Sequence, residues 1–497
     1  MNKKTIILLL ILIIFAGTFL RFYKIGDESF WLDESATALT LKKYSLGEIF
    51  YNTAKLGQIL PEYYGSNVDL PPYYILLKLW SDIFGISESS LRSFSAIFGV
   101  LSIIMVYLLS KELFGKKTGI IASLLFSVNA IMIEYSQEAR LYSMLIFIAL
   151  LAAYFLARLL KTNENKHLAG FIASNIFGIY AQYTFLFFVI FEISFVFILF
   201  AKGRLKSKKA KISKIHIAVL SLMIFYIPLA ARILNPKLVA THYLGKFSIG
   251  SLAKAFLQLN TWIYPSDQFL AKLDNFNFAS FFISEWILAI SAASLAALLL
   301  IFAAKNFRKM QNIDESKLFL LFWILIPLTI GFAVLYKSIF TFGSSKYFVF
   351  IIPAYLILAA NGICAFKAKK PFLFALLLII LTVPALLSYY INLNKPQYKE
   401  ASDFLEINSI NKEIIIVNLP SVAVPLDYYS DKLHNIHGVT SAQEADYLTL
   451  GSKSLWLVLS TKYSDPKREI RDFFDENFRL EGSKKFHGVE LLHYSKN

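Results

Sequence analysis

Long apolar runs separated by short, charge-bearing connections set the pattern of this chain. Thr5 to Phe22 is uninterrupted enough that a helix, rising about 1.5 Å per residue, covers most of a bilayer's hydrocarbon core. Ten further runs of this kind are expected at approximately 90–110, 118–134, 140–160, 167–183, 184–201, 215–234, 281–304, 318–337, 346–366 and 371–391. Residues 167–201 are almost continuously apolar, and Tyr180-Ala181-Gln182-Tyr183-Thr184 is read as a break that makes two short helices of them. The first run leads into Leu20-Arg21-Phe22-Tyr23 without a small-x-small cleavage site, so it reads as a retained helix.

The first two runs are separated by a long segment from Lys24 to Ser90 holding nine acids and five lysines. Within it, Ala36 to Tyr51 mixes apolar residues with Lys42, Lys43 and Glu48 and reads as a helix along the membrane interface. Pro71-Pro72 breaks the chain before Tyr73 to Phe84, which is too short to span and is expected to be a second surface helix. From about Pro396 the pattern changes to that of a soluble α/β domain. Ile414 to Val417 and Leu455 to Leu459 read as buried strands, Lys467 to Phe478 as an amphipathic helix, and Val489 to Tyr494 as a last strand. The expected division is therefore 1–395, a transmembrane domain, and 396–497, a small soluble domain.

Composition agrees: 57% of the 497 residues are hydrophobic, 17% are charged and the mean hydropathy is +0.56, which marks a polytopic α-helical membrane protein. The net charge of +16 does not indicate a nucleic-acid partner, because the basic residues sit in alternate loops, seven of them between Lys202 and Lys214. By the positive-inside rule those loops are cytoplasmic. Eleven spans with a cytoplasmic N-terminus then put the acidic loop and the C-terminal domain outside, at the cell or inner membrane. One cysteine, Cys364, excludes an intrachain disulfide framework.

Four features at the expected outer face carry candidate chemistry. Asp33-Glu34, in Trp31-Leu32-Asp33-Glu34-Ser35-Ala36, is an acidic pair beside a membrane, costly unless it acts on something; a helix cap with its first-turn acid is the simpler alternative. Glu134-Tyr135-Ser136-Gln137-Glu138-Ala139-Arg140-Leu141-Tyr142 packs two glutamates and an arginine between apolar runs. If it is helical, Glu138 shares one face with Tyr142 and with Glu134; snorkelling interfacial charges would read the same way. Lys346-Tyr347 places a cation where a lipid phosphate could lie, or is an anchoring lysine. Asp69-Leu70-Pro71-Pro72-Tyr73-Tyr74 on its own says only that the chain turns.

Taken in order, with Leu91-Arg92-Ser93 heading the next span and Pro353 following Lys346-Tyr347, these motifs resemble the GT-C membrane glycosyltransferases. The likeness is to the family-39 protein mannosyltransferases and aminoarabinose transferases, over about residues 1–395. The resemblance implies transfer of a sugar from a polyprenyl-phosphate donor to a lipid, protein or glycan acceptor at the outer membrane face, with inversion. It maps Asp33 onto the family's catalytic base, Glu34 onto the second acid of that pair, and Arg140 and Lys346 onto cations near the donor phosphate, with Glu138, Tyr142, Tyr347 and Asp69 beside them. Where many relatives carry His or Lys before the Pro-Pro pair this chain has Leu70, so a contact to the donor phosphate or sugar is either missing or supplied by Lys55 or Lys78. Gln182 stands where His is common, and Lys346 where Arg is. No obligatory metal is expected, although Asp33, Glu34, Glu134 and Glu138 offer oxygens that Mg²⁺ or Mn²⁺ would accept.

A rival reading from another class is a translocator of lipid-linked glycans, which wants charges near mid-membrane. Here only Glu192 and Glu285 qualify. A third, in which the soluble domain works and the helices merely anchor it, leaves eleven spans without a purpose.

Overall fold

The computed structural model describes residues 2–56, 60, 70–202, 224, 283–305, 314–334, 345–366, 370–409, 413–460 and 468–496. In chain order its helices are α1 (Lys3–Phe22), α2 (Leu32–Lys43), α3 (Leu46–Tyr51), α4 (Pro71–Phe84), α5 (Glu88–Phe114), α6 (Lys116–Val128), α7 (Ala130–Glu134), α8 (Tyr142–Thr162), α9 (Asn165–Ala181) and α10 (Phe185–Ala201). There follow α11 (Ile283–Ala304), α12 (Glu315–Val334), α13 (Ile352–Cys364) and α14 (Lys370–Ile391). Among the described residues α1, α5, α8 and α14 are each long and apolar enough to cross a bilayer, and α6 with the bent segment after it is a fifth candidate. The expected span at 215–234 lies, apart from residue 224, outside the described residues.

Contacts divide the chain into two compact units, residues 1–23 with 95–390 and residues 24–94 with 391–497. This differs from a division at residue 395, because the first long loop groups with the C-terminal segment.

The first unit is a helical bundle. Its interior holds an aromatic cluster in which Phe188 and Phe191 of α10 meet Trp323 of α12 at ring-centroid distances of 5.2 and 5.8 Å. Trp323 donates its indole N–H to the Phe350 carbonyl at 3.0 Å, so the one polar atom of that ring is satisfied. The break expected within 167–201 falls at Gln182–Thr184, between α9 and α10. The run expected at 118–134 is also broken: α6 stops at Val128, and the chain bends by 64° into Ala130–Gln137. Asn129 makes this bend, its side chain accepting from the Met132 amide at 3.1 Å as the cap of α7.

The second unit is built on a five-stranded sheet of order β2-β1-β3-β5-β4, with β1 Ile414–Val417, β2 Ile436–Gly438, β3 Ser454–Ser460, β4 Phe478–Phe486 and β5 Val489–Lys496. β1 pairs parallel with β2 and β3, and β5 runs antiparallel to β3 and β4. Its helices are α15 (Tyr398–Asn408), α16 (Ala423–Tyr429), α17 (Ala442–Thr449) and α18 (Glu469–Asn477). All four residues of β1 are buried, as expected of a strand covered on both faces. β2, only three residues long, and β4, largely exposed along Arg479–Lys485, carry no apolar pattern and were not expected from the sequence.

The loop residues of this unit also depart from expectation. Instead of one interfacial helix over 36–51, the chain forms α2, breaks at Tyr44-Ser45 and restarts as α3, with Ser45 and Glu48 capping each other. α2 is buried almost all round, from Glu34 to Leu41, and Leu32 belongs to the same core as Tyr398, Leu405, Ile415 and Trp456. Its mixed polarity is that of a helix whose polar groups are paired inside protein. α4 is closer to the expected surface helix, with Leu79, Ile83 and Phe84 exposed.

Gly438 ends β2 where a side chain would run into the main chain of Pro420. Gly438→Ala should lower the stability of the purified protein by about 1–3 kcal/mol, read as a fall in Tm.

Candidate active site

In the second unit the acidic pair opens α2, and the two carboxylates differ in environment. Adjacent residues on a helix point about 100° apart, and here Asp33 is half-buried while Glu34 is fully buried. Glu34 is gripped by cations: its two oxygens accept from Arg92 Nε at 2.9 Å and Nη2 at 2.8 Å, a bidentate pair, and Oε2 also takes Lys395 Nζ at 3.1 Å. The same oxygen accepts from the Trp31 amide at 3.4 Å, closing the first turn of the helix. Arg92 spends its remaining donors on the carbonyls of Ile25 at 3.0 Å, Glu28 at 2.8 Å and Ser29 at 3.0 Å, and its guanidinium lies 5.1 Å from the centre of the Phe30 ring. Glu34 is thus engaged with cationic side chains of the protein, and the two acids of the pair stand in different settings.

In the first unit the segment 134–142 is not one helix. A 3₁₀ turn over Tyr135–Gln137 ends at Glu138, whose backbone is extended, and α8 begins only at Tyr142. The expected shared face of Glu138 and Tyr142 is lost with it. The turn is held by side chains that collect carbonyls left over at helix ends. Arg21, fully buried, donates to Ser127 O at 2.9 Å and Gly17 O at 3.0 Å, taking a carbonyl freed where α6 stops. Gln137 returns the favour at the end of α1, donating to Tyr23 O at 2.8 Å and Arg21 O at 3.1 Å, while its own carbonyl accepts from the Tyr389 hydroxyl at 2.7 Å. Ser95 and Ser143 bond the carbonyls of Arg140 and Tyr135 at 3.1 and 2.8 Å.

On that fixed turn Glu134 and Glu138 are each 8% exposed and Arg140 is half-buried. Lys346 lies in the 3₁₀ turn Ser345–Ile351, its ammonium 5.9 Å from the centre of the Tyr142 ring, so these two expected site residues do meet. The side chains of Tyr347 and Lys55, and all of Asp69, lie outside the described residues. Lys78, an expected substitute for the missing family cation, is committed to Leu41 O at 3.1 Å and Asp82 at 3.0 Å. Glu192 is buried within α10, and the side chain of Glu285 lies outside the described residues. No three His, Cys, Asp or Glu side chains among the described residues gather as metal ligands.

Sequence reasoning passed over Arg21, Lys395 and Tyr429, and quoted Arg92 only as part of a motif. A guanidinium near the head of an apolar helix, where the dipole disfavours it, was the available signal for Arg92.

Known proteins bear on this arrangement in two ways. Residues 69–230 match the family described as dolichyl-phosphate-mannose-protein mannosyltransferase. An uncharacterized protein of Aquifex aeolicus is 30% identical over 144 residues, 28% of this chain and 26% of its own length. The putative mannosyltransferase YkcB of Bacillus subtilis is 27% identical over 164 residues, 33% of this chain and 22% of its own. The matched stretch therefore spans about a quarter of these relatives. Among solved structures, ArnT from Cupriavidus metallidurans in the apo state aligns with a TM-score of 0.59 over 97% of each chain at 11% identity. The same ArnT bound to undecaprenyl phosphate gives 0.54 over 99% of this chain and 98% of that one, also at 11% identity. The oligosaccharyltransferase AglB of Archaeoglobus fulgidus, in complex with an inhibitory peptide and a dolichol-phosphate, gives 0.55 at 12% identity over 100% of this chain and 74% of its own.

The fold is thus that of the GT-C membrane glycosyltransferases. Within it the chain is like the family-39 group, on the strength of the segment 69–230 and its mannosyltransferase-named relatives.

Breaking a buried ion pair by removing one partner costs about 3–5 kcal/mol. Glu34→Ala should therefore lower Tm steeply, while Asp33→Asn, at the half-buried neighbour, should leave Tm within a degree or two; equal losses would contradict the division of roles.

Proposed function

We propose that this protein transfers a sugar from a polyprenyl-phosphate-linked donor to a lipid, protein or glycan acceptor at the non-cytoplasmic face of a cell membrane, inverting the anomeric carbon. The supporting observation is the difference in setting within the acidic pair: Glu34 is fully buried and bonded to Arg92 and Lys395, while Asp33, next to it in the first turn of α2, is half-buried, and the family resemblance gives Asp33 the role of base. The ArnT structure with undecaprenyl phosphate supports a polyprenyl-phosphate donor by fold likeness.

In this reading Asp33 accepts the proton of the acceptor's nucleophile as that atom attacks the anomeric carbon. The bond from that carbon to the phosphate oxygen breaks, and the electron pair leaves with polyprenyl phosphate. Arg140 and Lys346 neutralise the charge gathering on the departing phosphate, with Tyr142 stacked against Lys346. Glu138, Tyr347, Lys55 and Asp69 are assigned to substrate binding on the family resemblance. Two cations beside the phosphate are sufficient for its charge, so no divalent metal is required; Mg²⁺ or Mn²⁺ would act only as an accessory. The cytoplasmic N-terminus and extracytoplasmic C-terminal domain follow from the distribution of Lys and Arg among the loops.

The test is to incubate the purified protein with a panel of polyprenyl-phosphate sugars and follow release of free polyprenyl phosphate. Asp33→Asn should lower turnover by about two to four orders of magnitude, the usual contribution of a positioned base, with Tm unchanged. Near-normal turnover in that variant removes the assignment. Lys346→Met should chiefly slow release of phosphate from bound donor, and activity should persist in chelator; rescue by divalent cation alone would overturn the metal-independent reading.

A further inference from the structure

α2 carries the proposed base, yet most of what holds it comes from the other end of the chain. At its N-terminus Lys395 donates to Glu34 at 3.1 Å, and the Tyr429 hydroxyl, at the end of α16, accepts from the Phe30 amide at 2.6 Å while donating to Glu88 at 2.8 Å. At its C-terminus Lys42 pairs with Asp431 and Lys43 with Asp427, each at 2.7 Å, cations placed where the helix dipole favours them. Along its length Leu32 is part of the hydrophobic core formed by α15, α16 and the sheet. The turn before it is tied down in the same way: Ser29 donates to Glu400 at 2.9 Å and the Asn394 amide to Glu28 at 2.6 Å. Burial, with the Glu88 carboxylate alongside, pushes the Tyr429 phenol far above its ordinary value, so it remains a donor at every physiological pH. α2 is, in packing terms, a helix of the C-terminal α/β domain.

We propose that the C-terminal domain is a working part of the transferase, with Lys395 and Tyr429 as positioning residues that fix the first turn of α2 and so the direction of Asp33. The proposal rests on the reading of Asp33 as base. It adds that the domain acts on the chemical step, beyond whatever acceptor binding it provides. A base displaced by about an ångström loses orders of magnitude in rate while substrates still bind, so the signature is a loss in kcat with KM preserved.

The experiment uses the full chain and a polyprenyl-phosphate sugar that supports turnover, comparing Lys395→Met, Lys395→Arg, Tyr429→Phe and Asp33→Asn with Lys432→Met as a surface control. Lys432 pairs with Glu406 far along the sequence from α2 and is largely exposed. The expected result is a kcat 10- to 100-fold lower in Lys395→Met and several-fold lower in Tyr429→Phe, with donor KM within twofold. Lys395→Arg should recover most of the loss, and Lys432→Met should behave as wild type. Hydrogen exchange over residues 30–41 should quicken in the first two variants, which reports on α2 without any activity. If Lys395→Met and Tyr429→Phe keep kcat within twofold, or lose it only through KM, the positioning role is wrong even where exchange quickens. Should Lys395→Met fail to fold, Tyr429→Phe and Lys395→Arg decide by the same criteria. An active Asp33→Asn would instead remove the base assignment, and with it the premise.

Discussion

A single buried carboxylate governs the second unit. Glu34 is fully buried, and an ionised group in that position is tolerable only because Arg92 binds it in bidentate fashion and Lys395 adds a second cation. Satisfying that one charge has wide consequences. Arg92 collects three carbonyls from the turn before α2, so the path from Ile25 to Phe30 is set by the same guanidinium. Lys395 draws in the segment that begins the C-terminal domain. The neighbouring Asp33 is then left in the one orientation the helix allows, partly exposed beside a partner that is not.

The first unit solves a related problem with neutral acceptors. Bending the chain by 64° after Val128 leaves carbonyls without helical partners in an apolar setting, where each would cost several kcal/mol. Arg21 takes one of them, the Ser127 carbonyl, while Gln137, from the segment beyond the bend, takes the Arg21 and Tyr23 carbonyls at the end of α1. The result is a rigid, non-helical turn carrying Glu138 and Arg140, in place of the continuous helix that its apolar flanks suggest.

In both units the side chains proposed for chemistry are outnumbered by those that hold the backbone beneath them. Donors and charges fixed in advance in this way are what preorganisation requires, because buried protein offers no solvent to reorganise.

The apolar runs, the broken stretch at 180–184, the buried strands of the C-terminal domain and the ordered set of motifs were all legible in the chain, because each depends on local periodicity or on residue type alone. Asp33, Arg140 and Lys346 were marked out by the family resemblance that those motifs carry together, since each of them alone reads equally well as a helix cap or an interfacial charge. Several features could not be read this way: that Glu34 is occupied, that α2 belongs with the C-terminal domain, and that Glu138 interrupts a helix. Those depend on partners 58 to 389 positions away in sequence, and a pairing of charges at such separations has no periodic trace. Sequence sets which groups must be neutralised or hydrogen-bonded once buried; only the tertiary structure decides which distant residue does it.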